Sequence, residues 1–339
     1  VTSSTKPVHR ETSRRRVMLP ADFSGPALIP TAPPSLATYL APWIQPVPVL
    51  PVVAVLLGAA YVVGVARRHR RGRRWPFSRT LAFLGGCVVL LVVTGAGVEG
   101  YGYEMFSVFM FQQLTLMMFV APLLVLGRPG TLLLHTAPHR GPGRVLLISA
   151  RRALRSPVAG AALHPAVTVP LFLLAFYGLY LTDAAGVVLS SWTGHTALEV
   201  ALLVAGVLFA APVLSRDPLP RRQGHAGRAL DVAVEMPLHA FFGVVLMMAT
   251  TPVVAAFGHP PAGWGVDLVG DQQTAGALAW SYGELPTLIV LLIVLSRWHR
   301  EETDSTALRD RRADRDGDAE LDAYNAYLAG LAERDRRPT

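Results

Sequence analysis

One cysteine, Cys87, stands in the 339 residues, inside an apolar run. A disulfide framework, a CxxC redox pair and a cysteine zinc site are therefore excluded. Charge is scarce as well: 16% of residues are Asp, Glu, Lys or Arg, against 52% hydrophobic, with a mean hydropathy of +0.39. A soluble domain carries roughly 25% charged residues. Catalytic signatures are missing too. The sequence holds no GxSxG nucleophile, no HExxH pair and no paired catalytic aspartate motif, and the expectation is a non-enzyme. Repeats of 20–50 residues are absent, which counts against solenoids and against the internal symmetry of many transporters.

What is present is a series of long apolar runs separated by short charged segments. A spanning helix needs about 20 mostly apolar residues. Such runs occupy 47–66, 80–98, 105–126, 166–182, 194–214, 233–256 and 275–296. They are continuous rather than alternating, so they read as helices and not as barrel strands. The expected fold is all-α, a polytopic membrane helix bundle of about seven transmembrane helices. The layout that follows is a disordered N-terminal segment over 1–45, a seven-helix domain over 46–298 and a charged cytoplasmic tail over 299–339. Residues 1–45 hold no apolar run of signal-peptide length; Val1 reads as an alternative start, with Met18 as the other candidate.

The net charge of +8 has its explanation in the connections. Arg67, Arg68, Arg70, Arg71, Arg73 and Arg74 follow the first run, and Arg128, Arg140, Arg144, Arg151, Arg152 and Arg155 follow the third. Arg216, Arg221, Arg222 and Arg228 follow the fifth, and Arg297 and Arg300 the last. The connections near 99–104, 183–193 and 257–274 carry neither Lys nor Arg. By the positive-inside rule this alternation places the N-terminus outside and the C-terminus in the cytoplasm, and it removes any need for a nucleic-acid partner. Residues 143–155 read equally as a basic surface helix or a solvated loop. In the tail, Leu321, Tyr324, Leu328 and Leu331 fall at helical spacing and predict a short amphipathic helix.

Ionisable and amide side chains inside the runs are costly in lipid and so are candidates for function. They are Gln112 and Gln113 in the third run, His195 and Glu199 in the fifth, Glu235 and His239 in the sixth, and Asp271, Gln272 and Glu284 at or in the seventh. His195 and Glu199, four apart, share a helix face and could bind a metal, relay a proton or lock two helices together. Glu235 and His239 have the same spacing with Pro237 between them, and Glu284 precedes Pro286, where a kink is expected. Met105, Phe109, Gln113 and Met117 form a stripe at spacing four. Thioethers suit copper(I), and methionine is also ordinary core filler. The candidate metal set is His195, Glu199, His239 and Met110.

Several stretches then resemble one family. Gln112–Pro129 (QQLTLMMFVAPLLVLGRP), His195–Glu199 (HTALE), Pro237–Gly243 (PLHAFFG), Asp271–Gly276 (DQQTAG), Gly283–Pro286 (GELP) and Asp322–Leu328 (DAYNAYL) occur in the order seen in the CtaG family of cytochrome c oxidase assembly proteins. The resemblance runs from about residue 100 to 330. It implies a seven-helix protein of the bacterial plasma membrane that helps mature a copper-containing respiratory oxidase, with oxidase subunits as partners and copper handling as its chemistry. It carries over His195, Glu199, His239, Asp271 and Glu284. Members commonly read His-Met-x-x-His in the third helix; here Phe109 and Gln113 stand at the two histidine positions. Phenylalanine has no ligand atom and a glutamine carbonyl suits a soft ion poorly, so weak copper(I) binding is expected. The rival expectation is a small-solute or ion transporter that uses the same buried carboxylates.

Overall fold

The computed structural model describes residues 23–137, 141–215, 217, 219–220, 224–316 and 319–336. All regular secondary structure among these residues is helical. The main helices are α1 (Val49–Arg70), α2 (Phe77–Gly95), α3 (Phe106–Thr136), α4 (Pro142–Arg155), α5 (Pro165–Gly178), α6 (Trp192–Leu214), α7 (His225–Met248), α8 (Leu268–Ser281), α9 (Glu284–Asp316) and α10 (Ala319–Asp335). Among the described residues, six stretches are long and apolar enough to cross a bilayer: Val49–Arg70, Phe77–Gly95, Phe106–Thr136, Trp192–Leu214, Ala226–Met248 and Leu268–Leu308. The shorter apolar α5 falls where the fourth span is expected. The protein is a multi-pass membrane protein with about seven spans.

The burial pattern follows from a lipid solvent. Val52, Val55, Leu56 and Val63 of α1 and Leu81 and Val88 of α2 are exposed, because lipid tails solvate them as well as a core would. The central helix is α3, with 78% of its apolar window buried. It contains a π-helical turn at Thr115–Val120 and the left-handed residue Arg128 (φ 51°) after Gly127. Close helix approach relies on small residues. A Cβ added at Gly243 of α7 would lie 2.6 Å from the Gly276 carbonyl of α8, and one at Gly276 equally close to the Gly243 carbonyl. The two backbones touch there, which only glycine permits.

The expected seventh span is two helices. α8 ends at Ser281 and α9 begins at Glu284, with Tyr282 and Gly283 both donating their N–H to the Leu278 carbonyl. Pro286 sits in the first turn of α9, where its missing N–H costs nothing. Residues 143–155 take the helical alternative, as α4.

Connections gather by charge at opposite ends of this unit. At one end Arg71 donates to the His135 carbonyl, and the Asp217 carboxylate accepts from the N–H groups of Gly130 (3.1 Å) and Thr131 (3.0 Å). At the other, the arginine-free connections meet: Tyr101 packs on Trp264, with ring centroids 4.8 Å apart. The expectation of disorder over 1–45 does not extend to residues 23–45, which lie across this end. The Ser24 N–H donates to the Ser190 carbonyl and the Trp43 N–H to the Gly95 carbonyl, while Gln45 pairs with both backbone groups of Leu28. These are tertiary hydrogen bonds, and a Pro-rich composition does not reveal them. Residues 1–22 lie outside the described residues.

The chain divides into two units at Leu291/Leu292. The second, Leu292–Thr339, comprises the rest of α9 and then α10, on which Tyr324, Leu328 and Leu331 are exposed.

Candidate functional site

Three ionisable side chains converge at the arginine-free end. Glu99 comes from a helical turn, Gly97–Tyr101, between α2 and α3, and His195 and Glu199 come from the first two turns of α6. Their exposures are 4%, 1% and 3%. The His195 Nε2 lies 3.8 Å from Glu99 Oε1 and 3.9 Å from Glu199 Oε1, and one donor atom from each residue falls within 4.8 Å of the others. Those distances are too long for hydrogen bonds, and Nε2 has no hydrogen-bond partner. The imidazole is held in place by stacking on Tyr103 (centroids 4.0 Å apart, planes 15° apart), with Phe109 tilted against it at 5.2 Å.

Gln112 joins the two carboxylates. Its Nε2 donates to Glu99 Oε2 (2.5 Å) and to Glu199 Oε1 (2.6 Å), and lies 3.2 Å from the Val93 carbonyl in the last turn of α2. A cavity of about 10 Å³ adjoins the cluster, lined by Gln45, Thr94, Glu99, Trp192, Thr196 and Glu199. Burial pushes the Glu99 carboxyl up to about 7. Two ionised carboxylates beside a neutral imidazole would leave two uncompensated buried charges, so the cluster needs a cation or a proton.

The remaining candidates divide among separate places, and the set His195, Glu199, His239 and Met110 is not one site. His239 belongs to a second cluster in the unit: its Nδ1 is 3.1 Å from Glu235 Oε1, and its Nε2 is 3.9 Å from Glu284 Oε1. Gly283 leaves room for that ring, since a Cβ there would lie 2.8 Å from Nε2. Glu235 also lines an apolar cavity of about 30 Å³ with Met117, Met118 and Pro286. Met110 is fully buried in the apolar cluster with Phe106, Leu114 and Phe242. The reason is helical geometry. Phe109 meets His195 and Gln112 meets Glu99 and Glu199, whereas Met110, one residue on from Phe109 and so about 100° round the helix, points into the apolar cluster.

Gln113 donates to the Ala175 carbonyl (3.0 Å), in the π turn of α5, and accepts from the Tyr180 hydroxyl. Asp271 caps α3: its Oδ2 accepts from the N–H groups of Phe106 (2.6 Å) and Ser107 (3.3 Å), and its Oδ1 from the Ser107 hydroxyl. Gln272 braces the loop after α7, accepting from the Val253 N–H (2.6 Å) and donating to the Thr251 carbonyl (3.1 Å). Glu99 is the member of this candidate site that sequence reasoning missed. It sits in a connection noted only for lacking arginine; the available signal was an acidic residue between two glycines, Gly97 and Gly100, in an otherwise apolar stretch.

The chain is 37% identical over 310 residues to uncharacterized proteins of Mycobacterium bovis and Mycobacterium tuberculosis, covering 90% of this chain and 46% of theirs. A Mycobacterium leprae relative, also described as uncharacterized, is 34% identical over 310 residues, with 47% of its length covered. The chain thus spans about half the length of the curated relatives it matches. No solved structure matches it. Residues 59–301 match the family described as cytochrome c oxidase caa3 assembly factor, a range that includes every residue of both clusters. The chain belongs to the cytochrome c oxidase caa3 assembly factor family.

Proposed function

We propose that this chain is an integral-membrane assembly factor for a copper-containing cytochrome c oxidase, acting on oxidase subunits in the bacterial plasma membrane without a catalytic step of its own. The observation that carries the reading is the family match over 59–301. The buried cluster of Glu99, His195 and Glu199 at the arginine-free end supports a centre on the extracytoplasmic side, since arginine-rich connections favour the cytoplasm. On that orientation the N-terminus is outside and the tail after Arg300 is cytoplasmic. Reporter fusions after Arg74 and Arg155 are expected to read cytoplasmic, and fusions at Gly186 and Gly265 extracytoplasmic. A cytoplasmic reading at Gly186 would reverse the orientation.

Copper is the metal that the family implies. The Glu99, His195 and Glu199 donors are oxygen and nitrogen, Phe109 faces the histidine, and Met110 lies on another face of α3. This set does not fit copper(I), which favours thioether and thiolate ligands.

The experiment is a clean deletion. Assembled oxidase activity is expected to fall by more than the oxidase transcript, because an assembly factor acts after its client is made. Oxidase activity equal to the parent strain would overturn the reading. It would favour a transporter, for which the helix break at Tyr282–Gly283 beside His239 and Glu284 is the supporting feature.

A further inference from the structure

We propose that Glu99, His195 and Glu199 form a binding site for one divalent transition-metal ion of the class that prefers oxygen and nitrogen donors, zinc or manganese, with a coordination position open toward the adjoining cavity. This inference stands on the geometry of the cluster and not on the oxidase-assembly reading.

The first observation is the convergence itself, three ligand atoms within 4.8 Å of one another from residues at most 4% exposed. A cluster held only by hydrogen bonds would close its gaps. Here Nε2 of His195 is buried, unpartnered and pointed at two carboxylate oxygens at 3.8 and 3.9 Å. Ligands about 2.1 Å from a shared ion at a tetrahedral angle lie ~3.4 Å apart. The two separations from His195 need to contract by about 0.5 Å around such an ion, a side-chain adjustment.

Charge gives the second reason. A divalent ion neutralises two carboxylates, whereas copper(I) would leave one negative charge buried. Donor chemistry agrees, since one imidazole and two carboxylates suit zinc or manganese better than a soft monovalent ion.

The surroundings are those of a metal ligand set. Gln112 donates to both carboxylates and so orients them, and Tyr103 fixes the imidazole plane by stacking. The cavity beside Glu99 and Glu199 is about 10 Å³, the size that admits one water or one small ligand atom. Gln45, from the segment lying over this end, forms part of its wall. Three protein ligands and one such position match the pattern of an exchangeable site rather than a closed structural one.

The competing explanation is a proton shared between Glu99 and Glu199, which also offsets their charge. Binding to the full chain, purified in detergent and stripped with a chelator, separates the two. Zinc and manganese titrations are expected to show one saturable site, with copper(I), titrated under reducing conditions, binding more weakly than zinc. X-ray absorption of the zinc-loaded protein should show a first shell of oxygen and nitrogen alone. Glu99→Gln and Glu199→Gln should each weaken zinc binding by at least about tenfold, an effect as large as that of disturbing outer-shell partners. Met110→Leu and His239→Ala should leave it within threefold. Absence of stoichiometric divalent binding would assign the cluster to the shared proton and overturn the proposal. So would sulfur in the first shell, or zinc affinity lost in His239→Ala. The absorption spectrum needs no variant, so the ligand set is tested even where a glutamine substitution fails to fold.

Discussion

Asp271→Ala is expected to destabilise the protein by about 3 kcal/mol, a large share of the 5–15 kcal/mol typical of a folded domain. The carboxylate of Asp271 reaches from α8 to the N-terminus of α3, the most buried helix, and accepts from the N–H groups of Phe106 and Ser107 and from the Ser107 hydroxyl. The N–H groups of a first helical turn have no partner within their own helix. Met105, in the N-cap position, makes no side-chain cap, so α3 depends on a residue from another helix. Alanine leaves two buried donors unsatisfied, at about 1–3 kcal/mol each, and removes a negative charge that favours the helix N-terminus. Asp271→Asn keeps one acceptor without the charge and is expected to recover about half of the loss. Thermal unfolding of the detergent-solubilised proteins measures both. An Asp271→Ala protein that unfolds at the wild-type temperature would show that the cap carries no stability.

Gln112→Leu is the second large effect. The substitution keeps an apolar stem of similar size and deletes the amide that touches Glu99, Glu199 and the Val93 carbonyl. Hydrogen bonds to charged groups are worth about 1.5–3 kcal/mol, and two buried carboxylates lose their donor at once. A loss of about 3 kcal/mol or more is expected. It should appear as reduced folded yield on size-exclusion chromatography and a lowered unfolding midpoint. Restoring Gln112 in a Glu99→Gln, Glu199→Gln background should give a smaller difference than in the parent, because the amide then serves neutral partners. Equal differences in both backgrounds would mean that Gln112 acts on packing alone.

The pair His195 and Glu199 was legible from spacing, because residues four apart on a helix face the same way wherever the helix sits. The same rule paired Glu235 with His239, now seen at 3.1 Å. Gln112 and Gln113 were legible as buried amides, yet adjacent helical residues point in different directions. One meets the carboxylates and the other meets α5 and Tyr180. Their division needed the rotation of α3 about its axis, which packing sets. Glu99 gave no periodic signal, since a five-residue turn has no helical face to read.

Hydropathy alone determined the helical class, the approximate spans and the alternation of charged connections, because partition into lipid depends on local composition and each spanning backbone must satisfy itself. Tertiary structure decided which polar side chains meet. It joined Glu99 to His195 and Glu199, sent His239 to Glu284, turned Met110 into the apolar core and set Asp271 on the end of α3. The physical reason is that helix rotation and crossing are set by close packing, as where Gly243 meets Gly276, and by loop residues whose neighbours are distant in sequence.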